Sequence, residues 1–294
     1  MVSERDNRIQ RAAEHQSIYE DGDTLIIDNV KVIKMYEALH FPRNVIVFCA
    51  KGRMTGIYND TPITLGEHQV FISPPGSQMT NVMVSPDFEF FCMAFTNTAL
   101  QRYLREYISI WNQFAYVDKI NILTLVSDEG FAFINTIQTL MRMLAVPTED
   151  SEEAHYRHEM LMGALHIVMI GLCNLMRRQE RAKVERPKQN VSYFNLFLNL
   201  LQRTEQKHQT VDFYASELCI STKYLTEICK KNSDKTANQW IREYVLADIT
   251  HYLLNSNMSI KEIAAKVGFT NTSFFGKYVK DAFGCTPLEY RSRK

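Results

Sequence analysis

A helical segment occurs twice in the last third of the chain, and this repeat restricts the fold more than any other feature. VDFYASELCISTKYLTEICKK (211–231) aligns with SIKEIAAKVGFTNTSFFGKYVKD (259–281), with one additional residue in the second copy. Leu218 matches Val267, and Leu225 matches Phe275. Because both copies keep helical periodicity on either side of a short break, this third must contain two similar helix-turn-helix units.

Each copy supplies the parts that a helix-turn-helix needs, which are a small residue at the helix crossing, a tight turn and a capped second helix. Ala215 and Ala264 are the small residues, while Cys219 and Gly268 lie at the turns. Glycine adopts positive φ without steric cost, whereas cysteine does so less easily. The predicted N-caps are Ser221 in copy one and either Thr270 or Asn271 in copy two.

The second helix of each copy has an apolar face and a polar face. We predict that the apolar faces are buried, with Tyr224, Leu225, Ile228 and Cys229 in copy one and Phe274, Phe275, Tyr278, Val279, Ala282 and Phe283 in copy two. The opposite faces carry small polar residues and lysines. Such a helix fits a DNA major groove, where polar groups reach base edges and lysines reach phosphates.

The segment between the two copies is long enough to span one turn of DNA. TANQWIREYVLADITHYLL (236–254) predicts a helix of about 28 Å, against about 34 Å for a DNA turn. Charge is also divided unevenly. Residues 187–294 contain fifteen Lys and Arg against ten Asp and Glu, so this third carries +5 and the remainder −5. A basic third joined to an acidic remainder suggests two separate tasks, although charge alone favours the alternative that five charges either way are ordinary surface variation.

IKEIAAKVGFTNTSFFGKYVKDAFGCTPLEYR (260–291) resembles the signature of AraC/XylS-type transcription regulators, in which I-x-x-I-A-x-x-x-G-F precedes G-x-T-P-x-x-[YF]-R. The resemblance covers about 190–294 and implies seven helices with two recognition helices in successive major grooves. Copy one departs from the pattern, because KNSDKTANQWI lacks the usual glycine at its turn.

The resemblance also implies which residues meet DNA. Lys223, Thr226 and Glu227 would read bases in copy one, and Thr272, Ser273 and Lys277 in copy two, with Lys230 and Lys280 at the flanks. Glu227 is unusual at such a position, since it would either accept a hydrogen bond from a cytosine amino group or repel phosphate.

The first two thirds of the chain predict a different class of structure. Residues 24–96 form short β-branched and aromatic runs separated by turn signals such as Asn59-Asp60, and helical periodicity begins near Asn97. We therefore predict an α+β protein. Residues 1–186 form a β-rich, cupin-like regulatory barrel with a helical dimerisation region, and residues 187–294 form the all-α DNA-binding domain. Pro187 lies in the predicted linker.

GEHQVFISPPGSQMT resembles the Gly…Pro-x-Gly part of a cupin, but Met79 stands where metal-binding cupins have histidine. No H-x-H precedes it, so we predict no metal and no cofactor. Many AraC-type regulators bind an effector in this domain. The strand aromatics that would line such a pocket are Phe48, Tyr58, Phe71, Phe90 and Phe95, and the alternative is that these rings are simply core.

No nucleophile triad, phosphate-binding loop or dinucleotide fingerprint occurs, so catalysis is not predicted. The N-terminus lacks the apolar core of a signal peptide, and the apolar run 161–176 is shorter than a membrane span, which favours a cytoplasmic protein. The expected partners are double-stranded DNA, a second copy of the chain, a small-molecule effector and, for an activator, RNA polymerase. The alternative is a cupin-type enzyme whose helical tail only mediates oligomerisation.

Overall fold

A computed structural model describes residues 17–28, 38–119, 121–125, 128–146, 148–182 and 192–292. The chain forms two compact units, Met1–Arg186 and Pro187–Lys294. Pro187, the predicted linker residue, lies outside the described residues.

Among the described residues of the N-terminal unit, ten antiparallel strands form its β part. They are β1 (Tyr19–Glu20), β2 (Thr24–Ile27), β3 (Ala38–Phe41), β4 (Asn44–Lys51), β5 (Arg53–Tyr58), β6 (Thr61–Gly66), β7 (Gln69–Ser73), β8 (Ser77–Val84), β9 (Glu89–Phe95) and β10 (Ile122–Thr124). They divide into a six-stranded sheet, β1-β2-β9-β4-β7-β10, and a four-stranded sheet, β3-β8-β5-β6.

The predicted cupin-like barrel is not closed, because among the described strands no pair joins the two sheets. Closure requires the edge strands to pair across the gap. Among the described strands, β1 and β10 remain at the edges of the larger sheet and β3 and β6 at those of the smaller. Strands of two and three residues, such as β1 and β10, offer too few backbone groups to continue a ladder.

The hairpin predicted at Asn59-Asp60 is confirmed. These two residues connect β5 to β6, with Tyr58 paired to Thr61 across the turn. Both have positive φ, 42° and 64°, as a two-residue type I′ hairpin turn requires. Asn and Asp tolerate this conformation better than other non-glycine residues, so the turn could be predicted from two letters.

The helices of the N-terminal unit lie against the six-stranded sheet. They are α1 (Asn97–Tyr103), α2 (Ile108–Asn112) with a π-helical turn at Gln113–Val117, α3 (Asp128–Leu144) and α4 (Ser151–Ala182). Helix α4 contacts α1, α2, α3 and β10. Its inward face is apolar and comprises Leu161, Ala164, Leu165, Val168, Met169, Leu172, Cys173 and Met176.

Helix α4 also has the length and apolar composition of a membrane span. Among the described residues, the segment Ser151–Gln179 alone meets both criteria. It is longer than the apolar run 161–176 noted in the sequence. A core helix of a globular domain passes the same test. The buried part, 44% of its apolar window, packs within the N-terminal unit.

Seven helices make up the described part of the C-terminal unit: α5 (Tyr193–Arg203), α6 (Val211–Glu217), α7 (Thr222–Ser233), α8 (Ala237–Asn255), α9 (Ile260–Val267), α10 (Thr272–Phe283) and α11 (Pro287–Arg291). The predicted α+β class and the seven-helix domain are confirmed. Helix α8 is the predicted connecting helix, and it contacts α5, α6, α7, α9 and α11.

Two polar contacts hold helix α8 in this arrangement. Asp248 is 5% exposed, and its carboxylate lies 3.0 Å from the Lys207 ammonium group on the loop between α5 and α6. Nearer the C-terminal end of α8, the Arg291 guanidinium donates to the backbone carbonyl of Leu253 and to that of Met258 just beyond the helix. The helix that separates the two copies is therefore anchored near both of them.

Candidate nucleic-acid interface

Copy one of the repeat consists of α6, a turn and α7. The Thr210 hydroxyl caps α6 by accepting from the Phe213 amide, and the Ser221 hydroxyl caps α7 by accepting from the Tyr224 amide. Cys219 occupies the turn with φ of 55°. Asp234 takes the left-handed position at the end of α7, where copy two has Gly284, so the missing glycine is replaced by a residue that tolerates this conformation.

Copy two consists of α9, a turn and α10. Ser259 and Glu262 form a reciprocal capping box at the start of α9, and these hydrogen bonds hold the pKa of the Glu262 carboxyl below its usual value. Gly268 turns the chain at φ of 102°, and a Cβ there would lie 3.3 Å from the Cβ of Gln206. Of the two predicted caps for α10, Asn271 is the one that forms, by accepting from the Ser273 amide at 2.7 Å.

The two recognition helices, α7 and α10, are each held by a narrow buried face. Leu225 and Cys229 are fully buried in α7, and Phe275 and Val279 in α10. The rings of Phe269 and Phe275 meet edge to face with centroids 5.3 Å apart. Spacing of four residues places each pair on one side of its helix, which leaves the opposite side free.

The eight predicted DNA-binding residues lie on these helices as the sequence suggested. The side chains of Lys223, Glu227, Lys230, Thr272, Ser273, Lys277 and Lys280 are exposed, and Thr226 is half-buried. In copy one the Lys223 ammonium lies 3.9 Å from the Glu227 carboxylate, one helical turn away. Helix α7 also carries Lys231, and α10 carries Asp281 beside Lys280, so both helices keep a net positive charge.

The prediction that Phe274 is buried is wrong, because 69% of this residue is exposed. Tyr224, its counterpart in copy one, is 46% exposed. Neighbouring helix positions differ by about 100° in direction, so a face only wide enough for Phe275 and Val279 turns the preceding ring outward. Both recognition helices thus present an aromatic ring that the sequence pattern had assigned to the core.

An open hollow of about 340 Å³ lies beside α10 and is called here the α10 hollow. Its lining includes His208, Phe269, Phe274, Lys277, Tyr278 and Asp281. The His208 imidazole stacks on Phe269 with ring centroids 3.8 Å apart, and burial lowers its pKa. The Arg242 guanidinium of α8 lies 5.1 Å from the centre of the Tyr278 ring.

Gly276 faces open space between these features. A Cβ added at this position would have no atom within 4 Å apart from its own helix and chain neighbours. Glycine inside a helix costs about 1 kcal/mol relative to alanine. Packing within the described domain therefore gives no reason for glycine here, which is consistent with a partner that approaches α10 from outside.

Of the five predicted effector-binding residues, three share one core and two do not. Tyr58, Phe71 and Phe90 lie in the core between the two sheets, and the Tyr58 hydroxyl donates to the Ser77 hydroxyl at 2.8 Å. Phe48 and Phe95 are also buried but fall on the other face of the larger sheet, where Phe95 meets Tyr103 of α1. Among the described residues, no group of three or more His, Cys, Asp or Glu is placed to hold a metal ion.

Comparison with known families gives a match in the C-terminal unit. A family described as "Helix-turn-helix domain" matches residues 214–293. The matched region includes both recognition helices and the whole of α8.

Several curated transcription regulators are similar to parts of the chain. The HTH-type transcriptional activator RhaR of Mannheimia succiniciproducens is 24% identical over 159 residues, which is 53% of this chain and 54% of that protein. The HTH-type transcriptional regulator ExsA of Pseudomonas aeruginosa is 42% identical over 55 residues, 19% of this chain and 20% of ExsA. The chain thus spans about half or less of the length of these relatives.

Solved structures give weak overall superposition. Unsaturated fatty acid-bound ToxT from Vibrio cholerae is 15% identical, with a TM-score of 0.35 over 93% of this chain and 96% of ToxT. The C-terminal domain of the response regulator yesN from Fusobacterium nucleatum is 25% identical, with a TM-score of 0.31 over 33% of this chain and 94% of that domain.

Proposed function

Because the C-terminal unit is a helix-turn-helix domain of the AraC/XylS type, we propose that the protein is a transcription regulator that binds double-stranded DNA at specific sequences. That family consists of DNA-binding regulators and not of enzymes. The observation that carries the proposal is the paired geometry. Two recognition helices, each with an exposed polar and basic face, are connected by one helix of about 28 Å.

The proposal gives the exposed residues distinct roles. Thr272, Ser273 and Lys277 read base edges in one major groove, while Lys223, Thr226 and Glu227 read the next. Lys230 and Lys280 lie one turn further along their helices and neutralise phosphates.

The proposed function is tested by selection of bound DNA from a random pool with the full chain, followed by titration of the selected sequence at several salt concentrations. We expect an enriched motif with two half-sites about one helical turn apart and affinity that falls steeply as salt rises. Absence of enrichment, or binding without salt dependence, would refute the proposal.

Replacement of Lys277 by alanine is expected to weaken binding to the selected sequence by about 1–3 kcal/mol and to relax the preference at one base position. The reason is that an exposed lysine at the centre of the α10 reading face contacts a base edge. Fluorescence anisotropy on a panel of single-base variants measures both effects. Lys266→Ala, which removes the same charge from α9, is the control. An equal loss on every sequence would make Lys277 a phosphate contact.

The proposal includes a homodimer formed through α4. An exposed stripe runs along this helix through Tyr156, Met160, Gly163, Ile167 and Ile170, at alternating spacings of four and three residues. This is the seam spacing of packed helices, and it lies outside the face that packs within the unit. Two copies of the stripe would bury these side chains against each other.

Ile167→Glu is expected to raise the dimer dissociation constant at least tenfold, because the change places a charge in the middle of an apolar seam. Sedimentation velocity over a range of concentrations measures this constant. Met83→Glu is a matched control, since Met83 is 69% exposed on β8, away from the stripe. Equal behaviour of the two variants would exclude α4 as the dimer interface.

The proposal assigns regulation to the N-terminal unit. A small-molecule effector would bind between the two sheets, where the hydroxyls of Tyr58, Ser73 and Ser77 form the polar group in an apolar layer. A few placed polar groups among aromatic side chains are typical of small-molecule sites. Phe48 and Phe95, on the other face of the sheet, would not line it. The proposed location is the cytoplasm, where an activator would also meet RNA polymerase.

A further inference from the structure

Phe274 has no packing role that explains its aromatic side chain. It is 69% exposed, whereas the adjacent Phe275 is fully buried. No aromatic ring stacks on Phe274 within the described residues 192–292, and the ring borders the open α10 hollow. Its counterpart Tyr224 differs, because the Tyr193 ring lies against it with centroids 6.0 Å apart. Among the described residues, the exposed Phe274 ring thus has no aromatic neighbour equivalent to the Tyr193 ring that packs against Tyr224 in copy one.

The position of Phe274 places it within reach of bases if the proposed function holds. It is the third residue of α10, just after the Asn271 cap, and recognition helices contact base edges through their N-terminal residues. Lys277, one turn further along, is exposed and lines the same hollow. An apolar ring and a cation therefore lie side by side on the surface that would enter the groove.

The chemistry of the major groove leaves few partners for such a ring. Its floor presents hydrogen-bond donors and acceptors, and the apolar group among the four standard bases is the C5-methyl of thymine. Donors or acceptors pressed against a phenyl ring would lose their water without gaining a hydrogen bond. A thymine methyl gains burial at that contact without such a loss.

We infer that Phe274 is a specificity residue that reads the C5-methyl group of one thymine in the half-site bound by α10. This inference rests on the proposed function and adds a base preference to it. Asp281 lines the same hollow further along α10, and its carboxylate disfavours a phosphate at that end. The basic Lys277 and the apolar Phe274 are therefore the parts of the hollow that face DNA.

The test replaces each thymine of the selected sequence, one at a time, by deoxyuridine, which removes only the methyl group. We expect one position at which the dissociation constant of the full chain rises about fourfold, the change that burial of a single methyl group produces. Phe274→Ala should bind both versions equally, and Phe274→Leu should retain part of the methyl preference. Because Phe274 is exposed, both variants should unfold at the temperature of the parent chain.

The outcomes distinguish failure of the proposed function from failure of the role assigned to Phe274. If no DNA is selected, the proposed function is refuted and this inference with it. If DNA is selected but deoxyuridine weakens the parent and Phe274→Ala equally, or at no position, only the role of Phe274 is refuted. If Phe274→Ala instead lowers self-association in sedimentation and leaves methyl dependence intact, the ring is a protein contact and the inference is also overturned.

Discussion

Replacement of Phe275 by alanine is expected to destabilise the C-terminal unit by about 3–5 kcal/mol, enough to unfold much of it at 37 °C. Phe275 is fully buried, and its ring meets Phe269 at the turn between α9 and α10. Truncation removes the apolar contact and leaves a cavity that the surrounding helices cannot fill completely. The loss of stability should therefore appear first in α9 and α10.

Hydrogen exchange with mass spectrometry measures this loss by region, and urea titration followed by Trp240 fluorescence gives its free energy. Trp240 is the tryptophan of the C-terminal unit, and it is buried in α8. Phe274→Ala is the matched control, since the same chemical change one residue earlier removes an exposed ring. Equal stability of the two variants would contradict the placement of Phe275 in the core.

Replacement of Asp248 by alanine should destabilise the same unit by a similar amount, about 3–5 kcal/mol. The change removes the carboxylate that pairs with the buried Lys207 ammonium group and leaves that group with its hydrogen bond to the Thr204 carbonyl. An unpaired charge in this position is costly because water cannot reach it freely. Urea titration of the full chain, with Trp240 as the probe, measures the effect.

The double variant Lys207→Met with Asp248→Leu is the control for this ion pair. Replacement of both partners by apolar residues removes the unpaired charge, and it should recover most of the stability lost in Asp248→Ala. A double variant as unstable as the single one would show that the pair acts through its geometry and not through its charges. Full stability of Asp248→Ala would show that Lys207 is solvated despite its burial.

The recognition helices illustrate what local sequence patterns can predict. The bounds of α9, α10 and α11 follow local sequence signals, since each helix begins at a capping residue and the first two end at a glycine. Caps and glycines act within a few residues, so their effect can be read directly from the chain. The Asn59-Asp60 hairpin could be predicted for the same reason.

The exposure of Phe274 could not be predicted from local sequence patterns. Six apolar residues of α10 fit one helical stripe, but the surface that covers them admits only Phe275 and Val279 fully. The width of a buried face depends on the neighbouring elements, here α9 and the loop that carries His208. No pattern within α10 contains that information. The aromatic Tyr224 at the corresponding position of copy one is also partly exposed, although the sequence pattern assigned both rings to the core.

The aromatic residues of the N-terminal unit are a second case that local sequence patterns could not predict. Phe48 and Phe71 lie on adjacent strands of one sheet, yet their side chains point to opposite faces. The relative register of strands that are distant in sequence decides which residues share a face. For this reason the sequence predicted a β-rich unit with buried aromatics but not how those aromatics divide between two layers.

The sequence by itself determined the repeat, the caps and turns of its helices and the polar residues that face outward on α7 and α10, because capping, turn conformation and helical periodicity act over a few neighbouring residues. Only the tertiary structure decided that Phe274 is exposed, that Lys207 pairs with Asp248 and that the two sheets remain unjoined. Each of these depends on contacts between segments far apart in the chain, and their free energy is set by packing that no local pattern records.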